Sequence, residues 1–169
     1  SASVLRNFTG ADVSPALTPE KAVDAMRKRD GHQSRWVIEY GGESFVMLDA
    51  AYAKAFWDAV HPTAWALNER ATRSVVAVLG ADALDGMLIR AGVMEAPKCD
   101  WVGEPRRASA LPAVLDALLP IRSSRVVPAV AAGMVHRRAR KAAIAWVLAH
   151  PETAALGLVP IAVSKPSKE

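Results

Sequence analysis

Along most of this chain apolar residues recur every three or four positions between charged ones, the period of a helix with one buried face. From Asp49 onward the pattern is nearly unbroken, and proline and glycine cut it into segments. "AAYAKAFWDAV" should end at His61-Pro62, because proline disfavours helical geometry in the residue before it. "AWALNERATRSVVAVLG" follows and stops at Gly80, and "ADALDGMLIRAG", with an acidic first turn, stops near Gly92. Residues 95–109, with two prolines and a glycine, read as the longest loop. Beyond it "ALPAVLDALLP", "SSRVVPAVAAG", "HRRARKAAIAWVLAHP" and "PETAALGLVPIAV" predict four short helices, with Pro120 and Gly133 as boundaries. Nearer the start, "TPEKAVDAMRKRD" predicts a helix with Thr18 as N-cap and Pro19 in the first position. Arg27, Lys28 and Arg29 sit at its favourable C-terminal end, and Gly31 stops it.

One stretch departs from this period. In "RWVIEYGGESFVML", residues 35–48, two runs of β-branched and aromatic residues flank Gly41-Gly42, the signal of a small β-hairpin. The rest is about eight helices of roughly 10 to 15 residues with short connections, which is the grammar of a bundle or an α-solenoid.

A repeat decides between them. "HPETAAL" at 150–156 echoes "HPTAWAL" 89 positions earlier, and each follows a tryptophan at the same distance, Trp57 before His61 and Trp146 before His150. That offset is about two periods of the roughly 40–47 residues of HEAT and armadillo units. In the second copy, at about 100° per residue, Ala139, Ala142, Ala143, Trp146 and Val147 fall on one side and Arg137, Arg138, Arg140 and Lys141 on the other. Small alanines let a neighbouring helix approach while the tryptophan fills space between layers. Proline then opens the next helix, with Glu152 in its first turn. Trp-x-x-x-His-Pro therefore predicts a corner between stacked helices. Trp57 and Trp146 should be buried, and His61 and His150 should cap or pack the helix ends.

The stretches "ARKAAIAWVLAHPETAALGLVPIAV" and "WALNERATRSVVAVLGADALDGML" resemble the helical repeats of large bacterial proteins of the molybdate metabolism regulator family. The resemblance covers about residues 50–163. It implies an all-α, HEAT-like α-α superhelix, a short solenoid, in which these are packing residues, and it transfers no catalytic position and no molybdate site.

Length and charge add limits. A chain of 169 residues suits one domain, here 1–163, followed by a polar tail at 164–169. It begins without methionine, so the expectation is a segment of a longer protein. No apolar run approaches the roughly 18 residues of a membrane span and no signal-peptide pattern is present, which points to the cytoplasm and away from a membrane. The net charge of +4 is a mild bias, short of that of a dedicated nucleic-acid binder. Cys99 reads as a lone loop thiol, which cannot form a disulfide within the chain.

Among candidate functional residues, Arg137, Arg138, Arg140 and Lys141 stand out. They open a helix, where cations oppose the dipole and where free amides would help them attract an anion such as phosphate. Arg122 and Arg125, just before the preceding helix, could extend the patch; the alternative is a solvated face neutralised by acids elsewhere. Ile144 and Leu148 interrupt that basic side, as though part of it contacts another unit. Asp82 and Asp85 lie one turn apart without a visible third ligand, and His32, His61, His136 and His150 fit no metal-binding spacing. The sequence thus predicts no catalytic group, metal or cofactor. It predicts a scaffold that binds another protein or other domains of its own chain, with phosphate-backbone binding through the six cations as the alternative.

Overall fold

A computed structural model describes residues 6, 17–28, 47–60, 68–95 and 110–163, and among these every regular element is helical. In chain order they are α1 (Pro19–Lys28), α2 (Ala50–Val60), α3 (Glu69–Leu79), α4 (Leu84–Ala91), α5 (Leu111–Leu118), α6 (Val127–Val135), α7 (Arg140–Ala149) and α8 (Pro151–Val163). Short 3-10 turns at Gly80–Ala83 and Ser124–Val126 lead into α4 and α6. The all-α expectation holds, with boundaries close to those that proline and glycine mark. The hairpin expected over 35–48 lies outside the described residues up to residue 46, as do His32, His61 and Cys99.

The helix ends have local causes. Thr18 Oγ1 accepts from the Lys21 amide at 3.4 Å, and Asp49 Oδ1 accepts from Ala51 at 3.1 Å. Asn68 caps α3 by accepting the Ala71 amide at 2.8 Å, a start the sequence pattern alone passes over. Gly80 and Gly92 take positive φ, 55° and 73°, and so end α3 and α4 as predicted.

Packing runs mostly between helices adjacent in sequence or one apart. α1 packs on α2, α2 on α3, α3 and α4 on α5, α5 on α6 and α7, and α8 on α6 and α7. The core they enclose is led by Trp57, Trp146, Phe56, Leu84, Met87 and Leu115, each less than 2% exposed. The Tyr52 hydroxyl donates to the Leu17 carbonyl and ties α2 to the segment before α1.

Gly133 departs from expectation. The helix predicted to stop there continues to Val135, and Gly133 has no positive φ. A Cβ at this position would lie 2.6 Å from Leu115 Cδ1 and 2.9 Å from Ala143 Cβ. The residue is a glycine because α7 approaches α6 too closely for any side chain. Gly157 plays the same part in α8, where a Cβ would stand 2.4 Å from Val127 Cγ2.

A polar link inside the stack joins α3 to α4. Thr72, fully buried, donates its hydroxyl to the Asn68 carbonyl at 2.8 Å and accepts from Arg90 Nε at 2.9 Å. Burial pushes the Arg90 guanidinium below its ordinary pKa, and nearby Glu69 opposes this. An arginine so placed remains protonated, so the link is a charge-assisted one that orients the two helices.

Candidate interaction surface

The C-terminal helices hold the sequence-predicted features, and the repeated Trp-x-x-x-His-Pro motif sits at their corner. Trp146 is fully buried in the last turns of α7, and its indole N–H donates to the Ile121 carbonyl at 3.1 Å. His150 lies against it, with ring centroids 5.0 Å apart and planes tilted by 54°, and Nε2 meets the Leu119 carbonyl at 2.8 Å. Both partner carbonyls belong to the stretch just after α5. One helix end thus binds another, and the axes of α7 and α8 turn through 115° at this point. Trp57, in the earlier copy, is likewise buried, 1% exposed. His150 is committed to this corner as its sequence position predicts. His150→Ala should cost about 1 kcal/mol in urea unfolding, the ordinary loss of one side-chain hydrogen bond.

The six predicted cations divide into two groups. Arg122 forms an ion pair with Glu152 at 2.5 Å across the corner, and Arg125 pairs with Asp85 at the start of α4. Arg122 and Arg125 therefore tie elements together rather than extend an open patch. Both pairs are exposed and add little stability, but they occupy Glu152 and Asp85. Asp85 is thereby a partner of Arg125, and among the described residues no group of three histidines, cysteines or acids could hold a metal ion.

Arg137, Arg138, Arg140 and Lys141 are all exposed, and none of the four is ion-paired among the described residues. The His136 carbonyl accepts from the amides of Ala139 and Arg140, both at 3.0 Å, so helical bonding begins one turn before α7 and the cluster surrounds its first turn. The opposite side of α7 is buried as the periodicity predicts, with Ala139, Ala143 and Trp146 all at 0% exposure.

No protein-family profile, curated protein or solved structure matches this chain.

The main feature of this surface is one the sequence only hints at. Leu148 and Ile144 on α7, and Leu156, Val159 and Val163 on α8, point outward, with exposures from 42% to 79%. At about 100° per residue the three on α8 fall on one side of that helix, opposite buried Ala154. Isolated exposed apolar residues are ordinary; stripes on two successive helices are a candidate contact surface. Ile144 and Leu148 were legible as an interruption of the basic side. The stripe on α8 was not, because "PETAALGLVPIAV" is apolar on every side and gives no clue to which side faces the core.

Proposed function

We propose that this chain is a HEAT-like helical-repeat scaffold, related to the repeats of the molybdate metabolism regulator family, that binds a protein partner through the outer faces of α7 and α8. The observation that carries this reading is the pair of exposed apolar stripes, Ile144 and Leu148 on one helix and Leu156, Val159 and Val163 on the next. Two further features support it. Helices pack chiefly on their sequence neighbours, as in a quasi-one-dimensional stack, and the two tryptophans of the repeat are both buried. A photo-cross-linking residue placed at Leu148 or Leu156 in the full protein inside its own cells should give a discrete adduct. The same residue at Asp116, exposed on α5, should not. Identical adducts at all three positions, or none at any, would contradict the reading.

A second reading, phosphate-backbone binding, rests on the four exposed cations at the start of α7, none of which is ion-paired among the described residues. It makes a quantitative prediction, because salt dependence counts phosphate contacts. With Arg122 and Arg125 engaged by carboxylates, four cations remain, so log K for duplex DNA should fall against log salt with a slope of about −3.6. A slope near −5.4 would mean that all six take part. Binding that does not respond to salt, or no binding at low salt, would remove this reading.

A further inference from the structure

We infer that the exposed side of α7 receives an amphipathic helix that carries carboxylates one to two turns from a pair of apolar residues. This rests on the protein-binding role proposed above and specifies the chemistry of the partner. At about 100° per residue, Arg140, Ile144, Leu148 and Lys141 fall within an arc of about 100° on one side of α7. All four are exposed, and Arg137, in the turn just before the helix, is exposed as well. Charge and apolarity are thus separated along the axis of the stripe rather than around it. Its N-terminal end is cationic and its C-terminal end aliphatic, over about 12 Å from residue 140 to residue 148.

That arrangement distinguishes between occupants. A helix lying on a membrane surface buries an apolar face and keeps its cations on the opposite one, whereas here the cations share the apolar side. A duplex backbone would use the cations and leave Ile144 and Leu148 without a role. A second copy packed on this stripe would set cations against cations in a parallel arrangement and cations against Leu148 in an antiparallel one. An acidic amphipathic helix satisfies both ends at once. Among the described residues no carboxylate pairs with these cations: Glu152, which opens the next helix, is held by Arg122, and Asp85 by Arg125. Cations around the first turn of a helix also face the positive end of its dipole, so incoming carboxylates relieve repulsion as well as forming pairs.

The test uses isotope-labelled full chain and three synthetic helical peptides. The first carries two leucines four residues apart and a turn of glutamates, the second has lysines for the glutamates, and the third has serines for the leucines. The expected result is that the glutamate peptide shifts the amide signals of residues 137–148 and binds at least about tenfold more tightly than either of the others. The double variant Arg140→Glu with Lys141→Glu should reverse the preference between the glutamate and lysine peptides. Equal binding of those two peptides at Leu148 would overturn this inference while leaving the apolar docking surface in place. Absence of binding by all three would overturn it as well, and the cross-linking experiment would then decide the broader role separately. Binding to vesicles rich in phosphatidylserine that is lost in Leu148→Ser, without binding of the glutamate peptide, would overturn it in favour of a membrane.

Discussion

Trp146→Ala should remove about 3–5 kcal/mol from the unfolding free energy, the range for deleting a large buried aromatic side chain. Trp146 is fully buried, and its indole N–H bonds the Ile121 carbonyl at 3.1 Å, so the change opens a cavity and orphans an acceptor at the same place. Against a typical total of about 5–15 kcal/mol, such a loss leaves a protein close to unfolding at ambient temperature. Trp146→Phe separates the two contributions. It keeps an aromatic ring against His150 and loses the hydrogen bond, so its cost should be nearer 1–2 kcal/mol, about what one buried hydrogen bond contributes. Urea unfolding followed by circular dichroism measures both. If the alanine variant were as stable as the parent, the corner between α7 and α8 would not be a structural joint.

The next largest effect is expected from Gly133→Val. The first atom added would lie 2.6 Å from Leu115 Cδ1 and 2.9 Å from Ala143 Cβ. Leu115 is itself fully buried, and Ala143 Cβ moves only with the backbone of α7. Helices α6 and α7 would therefore have to separate, at about 1–3 kcal/mol for overpacking of this kind. Valine is only slightly better than glycine as a helix former, so propensity does not offset the clash. A midpoint shift to lower urea, with the far-ultraviolet helical signal retained, is the expected outcome. A stabilised variant would mean that the two helices do not touch at Gly133.

The helices were largely legible because proline and glycine act locally. Pro19, Pro151, Gly80 and Gly92 restrict or free the backbone at their own positions, and the predicted boundaries there lie close to the observed ones. Gly133 is ambiguous for the same reason: a glycine that ends a helix and one that admits a neighbouring helix look alike singly. The signal that separates them is a pair of small-residue spacings. Ala129 and Gly133 on α6, and Ala139 and Ala143 on or just before α7, each lie four apart, and all four are buried. The candidate surface was legible only in part. The basic run 137–141 is contiguous and exposed, but whether Arg122 and Arg125 belong with it depended on Glu152 and Asp85, 30 and 40 residues away. No local pattern reports pairing at that distance. Thr72 and Arg90 give no local signal either, since a threonine and an arginine on separate amphipathic helices both read as surface residues until the helices are packed together.

Paired glutamine substitutions distinguish outer sides of α7 and α8 that are free for a partner from ones that are covered within the chain. Leu148→Gln with Leu156→Gln replaces two residues that are 76% and 79% exposed by a good helix former that carries no charge. If the faces are free, urea unfolding of the purified double variant should match the parent within about 0.5 kcal/mol per substitution, as for ordinary surface changes. A loss of about 4 kcal/mol or more, the scale of two core leucines replaced, would mean that these faces are packed inside the fold and would contradict the account.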